Sequence, residues 1–179
     1  LSVAQGLALN TMRPGQSSCF DLLGTFVERA DMMARLLDVK YHILLPAHSS
    51  VGSALDYYQW AALLKSITGF ETYRRKYRSE INPTEVAELV ILDHCFPRSL
   101  TFSTLRMADA LRQLGEGRPA ACDAAVEALR RQLDTDASSI LDGGLHEFLD
   151  DFVDGIAAVN QAVRHEYFES STGHAACTT

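Results

Sequence analysis

The sequence predicts an all-α protein, a bundle or array of six or seven helices. Apolar residues recur at helical spacing through most of the chain, and helix-starting and helix-ending residues punctuate it at short intervals. No segment shows the sustained two-residue alternation between hairpin turns that predicts strands. At 179 residues the chain is long enough for one domain with a sizeable core.

Composition limits the classes of partner. Hydrophobic residues make up 47% of the chain and charged residues 22%, which is ordinary for a soluble globular protein. A formal net charge of −7 argues against nucleic acid or an anionic membrane as the main partner. Four cysteines without Cys-x-x-Cys spacing favour a reducing compartment. No apolar run reaches membrane-spanning length, so we expect a cytoplasmic protein.

Two long helices are predicted first. Ser17 or Ser18 can cap a helix that Pro46 would stop. A second helix opens after Ser53 and ends or bends at Gly69. Its spacing predicts a buried stripe formed by Leu55, Tyr58, Ala62, Leu63 and Ile67.

A shorter helix follows and carries a basic cluster. The cluster consists of Arg74, Arg75, Lys76 and Arg78. Cations are favoured at the carboxyl end of a helix, so one interpretation is a solvated helix end. The other is a binding site for a phosphate or a carboxylate.

The later helices have clearer boundaries. Asn82-Pro83-Thr84-Glu85 predicts a helix start, and that helix runs to about Asp93. Ser99 can cap the next helix, which reaches Leu114. Pro119 begins an alanine-rich helix that extends to about Leu133.

The last long helix is predicted from about Leu145 to Phe168, and Gly143-Gly144 separates it from a preceding short turn. We expect residues 1–168 to form the helical domain. The small, polar residues 169–179 predict a disordered tail.

Five ionisable residues lie on one stripe of the first helix. At about 100° per residue the stripe is roughly 80° wide, and it contains Glu28, Asp31, Arg35, Asp38 and His42. A solvated face with ion pairs between neighbouring turns is one interpretation. The largely apolar surroundings favour the other, a stripe that is buried or lines a cleft.

Arg29 lies off this stripe, among apolar residues of the same helix. A guanidinium that faces a core needs a carboxylate or carbonyl partner, because a buried, unpaired charge costs several kcal/mol. Asp56 could neutralise Arg29 or Arg35 from the second helix, or it could simply cap that helix beside Trp60, a core aromatic residue.

Arg98 is a further candidate, because it stands between a proline and the predicted cap Ser99. Such a position restricts the chain and can present a guanidinium to a ligand. A surface arginine in a loop is an equal alternative.

Several kinds of site are missing from the sequence. There is no Glu-x-x-His pair, no His-Glu-x-x-His zinc motif, no Gly-x-Ser-x-Gly nucleophile turn and no Gly-x-x-x-x-Gly-Lys phosphate loop. We therefore predict no metal site and no cofactor. The lone cysteines are typical of small buried hydrophobic residues rather than of nucleophiles.

Four ordered segments resemble the bacterial alpha-E family of helical proteins, named for a Glu-Arg motif. They are Gly24-Thr25-Phe26-Val27-Glu28-Arg29-Ala30-Asp31, Ala34-Arg35-Leu36-Leu37-Asp38-Val39, Asp56-Tyr57-Tyr58-Gln59-Trp60 and Phe96-Pro97-Arg98-Ser99. Members of this family are usually longer and carry a related upstream segment, so we expect this chain to correspond to the downstream half. Thr25 departs from the arginine expected at its position, and residues 13–16 depart from an acidic pattern.

The resemblance also implies a functional setting. The family is associated with circularly permuted ATP-grasp ligases and transglutaminase-like peptidases, which implies a part in forming peptide or amide bonds. The motif positions carried over to this chain as candidate ligand-binding residues are Glu28, Arg29, Arg35, Asp38, Asp56, Trp60 and Arg98.

Three functions therefore remain. The leading hypothesis is an accessory or substrate-presenting module for an ATP-grasp ligase or a transglutaminase-like protein. In it Arg29, Arg35 and Arg98 converge on an anionic ligand. The second is an enzyme of acyl transfer or hydrolysis with Glu28 or Asp38 as general base. The third is a structural domain whose charged stripe fixes helix register and the pairing of a homo-oligomer.

Overall fold

A computed structural model describes residues 15–43, 54–114 and 120–169, with the backbone alone for 16, 40–43 and 54–56. These residues form eight α-helices and no strand, which confirms the all-α prediction. The helices are α1 (Gln16–Ile43), α2 (Ala54–Ser66), α3 (Phe70–Tyr77), α4 (Pro83–Ala87), α5 (Leu100–Gln113), α6 (Ala120–Gln132), α7 (Ala137–Gly143) and α8 (Leu145–Val163). A π-helical turn follows α4 at Glu88–Leu92, and another follows α8 at Arg164–Glu169.

Four long helices form a closed ring of neighbours. Helix α1 packs against α5 and α8, and α6 packs against the same two helices from the opposite side. Each helix turns an apolar stripe inward, and the burial of these stripes is the main stabilising term. The side chains with no exposed surface include Ala30, Met107, Leu111, Phe152 and Val159. The shorter helices are attached to this ring, since α7 contacts α8 and the turn after α4 contacts α5.

Side-chain caps fix three helix starts. Asn82 Oδ1 accepts a hydrogen bond from Thr84 N, and Ser99 Oγ accepts one from Phe102 N. Both starts were predicted. The third cap is Asp136, which accepts from Ser139 N and begins α7 where the sequence predicted only a turn. Helix α7 is therefore the additional helix that brings the described residues to eight, where six or seven were expected.

Helix α1 starts two or three residues earlier than the predicted caps Ser17 and Ser18 imply. It begins at Gln16, and neither serine occupies the capping position. Ser18 instead lies in the first turn, where its Oγ accepts from Gly15 N and donates to Gly15 O. The serine thus bonds back to the cap residue from the third helical position, as the N3 residue of a capping box does.

The buried face of α2 differs from the predicted stripe. Leu63 and Ile67 are buried as expected, but Tyr58 is 69% exposed and Ala62 is exposed. The face that packs inward is Trp60, Ala61, Leu63, Leu64 and Ile67.

Some predictions fall outside the described residues. These are the helix stop at Pro46, the helix start at Pro119 and the tail after Glu169. Within the described ranges, no helix is long and apolar enough to cross a membrane.

Replacing Gly144 by alanine is expected to destabilise the fold. Gly144 has φ +105° and ψ 105°, and a Cβ there would lie 2.2 Å from Glu147 Oε2. Such a conformation costs a residue with a side chain about 1–3 kcal/mol. Urea denaturation of Gly144→Ala should show a loss of this size.

The preceding glycine provides the matched control. Gly143 lies within α7, and a Cβ there would meet nothing within 4 Å. Gly143→Ala should leave stability unchanged or raise it slightly. Equal effects of the two substitutions would contradict the proposed strain.

Candidate functional site

The loop between the π-helical turn and α5 is fixed by the carboxylate of Asp93. Its Oδ1 accepts hydrogen bonds from Cys95 N at 2.7 Å and Phe96 N at 2.8 Å, and its Oδ2 lies 2.8 Å from Lys76 Nζ. Burial alone would raise the pKa of Asp93, but these hydrogen bonds from Lys76 and the two backbone N–H groups lower it. The carboxylate therefore holds the loop as an anion.

The far end of the loop is fixed by Ser99. Its Oγ donates to the carbonyl of Asp93 while accepting from Phe102 N, so one hydroxyl joins the loop to the first turn of α5. These two anchors, Asp93 and Ser99, are six residues apart and hold the intervening Phe96-Pro97-Arg98 segment against α1.

Arg29 of α1 meets this segment. Its Nη1 donates a hydrogen bond to Pro97 O at 3.1 Å. The guanidinium carbon also lies 4.8 Å from the centre of the Phe26 ring, which is a cation–π distance. The partner of this half-buried charge is thus a carbonyl, one of the two kinds of partner that a guanidinium facing a core needs.

Arg98 brings a second positive charge to the same place. Burial, and after it the charge of Arg98, lower the pKa of Arg29 from its ordinary value. Within the described ranges, neither guanidinium has a carboxylate at ion-pair distance. The charge of Arg98, the residue after Pro97, is therefore felt at Arg29, where α1 meets the loop before α5.

Two residues around Arg29 were not singled out from the sequence. Phe26 is 7% exposed and contacts Arg29 on one side, and Arg106 of α5 lies 5.9 Å from the same ring. Arg106 also pairs with Asp109, its neighbour one turn later. An arginine on an amphipathic helix gives no sequence signal that it will approach an aromatic ring on another helix.

Arg35 does not converge with Arg29 and Arg98. Its Nε lies 2.8 Å from Asp31 Oδ2, and the two side chains are 63% and 34% exposed. Six residues separate Arg29 from Arg35, which places them about 120° apart around the helix. The stripe is therefore a solvent-exposed face with ion pairs, and its alternative as a buried stripe is wrong for these residues.

The carboxylates predicted for the site, Glu28, Asp38 and Asp56, are not shown gathered around Arg29 either. Asp38 Oδ1 lies 2.7 Å from His146 Nδ1 of α8, with both side chains about one-third exposed. Glu28 is exposed on α1. The side chains of Asp56 and His42 lie outside the described residues.

Trp60 is buried, whereas a ligand-binding residue needs a side chain that a ligand can reach. Its side chain is 2% exposed and belongs to the hydrophobic core. It therefore contributes packing, as the alternative interpretation of a core aromatic residue expected.

The basic cluster of α3 belongs to a helix end. Arg74, Arg75 and Lys76 lie in the last turn, and Arg78 follows with φ 55°. Lys76 bonds Glu88 Oε1 at 3.1 Å as well as Asp93. The lysine thus supports the Asp93 loop, while Arg74 and Arg75 are exposed.

The fold is thus an all-α bundle, and helix α1 carries Glu28, which is exposed, followed by Arg29, which donates a hydrogen bond to the Pro97 carbonyl in the loop before α5. The chain belongs to the Alpha-E family, described as a predicted alpha-helical domain with a conserved ER motif, whose model matches residues 1–168. Glu28-Arg29 is the only Glu-Arg dipeptide in the sequence, so the motif falls on α1. No curated protein matches the chain, and no solved structure matches it.

The pair between Asp38 and His146 should make stability depend on pH. The hydrogen bond that His146 donates to the Asp38 carboxylate raises the pKa of His146 above its ordinary value of 6.5. The protonated pair therefore contributes its full stabilisation below about pH 6.5, and this is lost as pH rises through the raised pKa. Following the His146 ring by NMR should give a pKa that falls in Asp38→Asn.

Asp21→Asn is the control, because Asp21 is an exposed aspartate on the same helix. It should leave the titration of His146 in place. A His146 pKa that is the same in wild type and Asp38→Asn would show that the pair does not form in solution.

Proposed function

We propose that this chain is a non-enzymatic accessory module that binds an anionic group of its partner or substrate at Arg29 and Arg98. The system it serves is an ATP-grasp-linked one that forms peptide or amide bonds, as the family resemblance implies. The partner is the ATP-grasp ligase or the transglutaminase-like protein of that system. The module docks on it or presents a substrate to it.

One observation carries the proposal. Arg29 is bonded to the carbonyl of Pro97, the charge of the next residue, Arg98, acts on it, and no described carboxylate lies at ion-pair distance from either guanidinium. Like charges held together raise each other's energy, and an anion that binds between them relieves this repulsion. Guanidinium groups also match the planar geometry of carboxylates and phosphates. A carboxylate or a phosphate group is therefore the ligand chemistry that fits best.

The support of Arg29 is suited to recognition. The carbonyl of Pro97 and the ring of Phe26 hold its guanidinium in one orientation, and Asp93 and Ser99 hold the carbonyl. A donor that is already oriented loses less conformational entropy when it binds a ligand. Arg29 can use its remaining N–H groups toward the anion while keeping its bond to the loop.

Arg98→Ala is expected to weaken the interaction with the ATP-grasp ligase of the proposed system. The loss of one charge-assisted hydrogen-bonding partner should cost about 1.5–3 kcal/mol, or roughly ten- to a hundredfold in the dissociation constant. Arg98 makes no described bond within the chain, so the fold should remain intact. Co-purification and calorimetry with the full-length ligase measure the effect.

Arg75→Ala is the matched control, since it removes the same charge from an exposed position of α3. It should leave binding close to wild type. An equal loss of binding in the two variants would show that net charge, and not a specific site at Arg98, determines the interaction. Absence of any complex between the wild-type proteins would reject the docking form of the proposal.

The enzymatic alternative is favoured by one observation, the contact between Asp38 and His146. A carboxylate that orients an imidazole is a common arrangement around a general base. Glu28, the other candidate, is exposed on α1. Folded Glu28→Gln and Asp38→Asn variants that retain full activity of the pathway would dispose of this alternative.

A further inference from the structure

The outward face of α1 has features that the anion site does not use. Helix α1 contacts α5 and α8 within the ring of long helices, and a strip of its surface between them is open to solvent. Two large apolar side chains on it, Met32 and Val39, are 63% and 48% exposed. We call this strip the outer face of α1; its members are Ser17, Asp21, Gly24, Glu28, Met32, Arg35 and Val39, all exposed.

The outer face is self-complementary when its direction is reversed. A point between Asp31 and Met32 lies midway between Glu28 and Arg35, which carry opposite charges. The same point lies midway between Gly24 and Val39. Gly24 is the smallest residue of the face, and Val39 has a branched apolar side chain. If a second α1 helix runs in the opposite direction with its own midpoint at the same place, Glu28 of each helix therefore lies opposite Arg35 of the other. Gly24 of each helix lies opposite Val39 of the other.

Two copies of the chain can use this pattern through a two-fold axis. If the axis passes near Met32, the two α1 helices run antiparallel, and Glu28 of each copy faces Arg35 of the other. The two charge pairs are then about 10 Å apart along the helix, since seven residues each rise about 1.5 Å. The methionines lie between the pairs, where a flexible apolar side chain packs well against its own copy.

Gly24 gives an independent reason for close approach. A Cβ at this position would meet nothing within 4 Å, so packing within one copy does not require glycine. In the interior of a helix, glycine costs about 1 kcal/mol relative to alanine. Opposite Val39 of a second copy, the missing side chain lets the helices come together.

The in-chain partner of Arg35 is compatible with this arrangement. Asp31 holds the Arg35 Nε at 2.8 Å, which leaves the other guanidinium nitrogens to bond Glu28 of the second copy. Glu28 itself has no ion pair with another described residue. Its charge is therefore available to a partner.

We propose that the outer face of α1 is the contact surface of a homodimer, with the two α1 helices antiparallel and Glu28 paired with Arg35 across the axis. Sedimentation velocity of the wild-type chain should give a concentration-dependent species of twice the monomer mass of 19.7 kDa. A chain that stays monomeric at millimolar concentration overturns the proposal.

Charge reversal tests the pairing itself. E28R and R35E should each raise the dimer dissociation constant roughly tenfold or more, because like charges then face each other across the axis. An equimolar mixture of E28R and R35E should dimerise again, since each copy supplies the charge that the other lacks. The combined E28R/R35E chain should also recover the dimer.

Glu71→Arg is the control, because Glu71 is exposed on α3 and undergoes the same change of charge. It should leave the dimer intact, and circular dichroism should show that all the variants are folded. A dimer that persists in both single variants, or a mixture that does not recover it, would place the contact elsewhere and overturn the proposal.

Discussion

The half-buried charge of Arg29 is the constraint on which this edge of the molecule depends. A guanidinium that is partly removed from water must keep hydrogen-bond partners, because the loss of solvation is otherwise costly. Its partner is a single backbone carbonyl, that of Pro97. A carbonyl in a loop is useful only if the loop is fixed, and this requirement explains the anchors at Asp93 and Ser99. Lys76 extends the chain of dependence to α3.

The ring of helices divides α1 into faces with different tasks. One face is buried, and the edges on either side meet the loop before α5 through Arg29 and α8 through Asp38. The remaining face is open and carries Glu28. Adjacent residues of a helix point about 100° apart. The glutamate and the arginine of the family motif therefore belong to different environments, and a shared ion pair does not account for them.

The sequence was sufficient for features that depend on local chemistry. Helix starts at Asn82 and Ser99 follow from side-chain capping, and the position of Arg29 off the charged stripe follows from helical periodicity. The requirement for a carbonyl or carboxylate beside Arg29 follows from the cost of burying charge. Each of these depends on neighbouring residues or on one helix considered alone.

Features that depend on how helices are placed relative to one another were not predictable. The charged stripe of α1 could be buried or exposed, and only the positions of α5 and α8 decide that Arg35 faces solvent. The inward face of α2 was misassigned at Tyr58 because aromatic residues occur on both of its sides. Helix α7 was missed because seven residues show too little periodicity to be distinguished from a turn. In the site, the same limit concealed Phe26 and Arg106.

The chemistry of arginine favours recognition over catalysis at Arg29 and Arg98. A guanidinium stays protonated across physiological pH and only donates hydrogen bonds, so it cannot act as a general base. It can hold an anion and stabilise its charge. The proposed anion site lies on the side of α1 that meets the loop before α5. The outer face of α1 is centred on Glu28, about 100° around the helix from Arg29. Pairing through α1 would therefore leave both anion sites open, and a dimer would present two of them, related by its two-fold axis, to one partner.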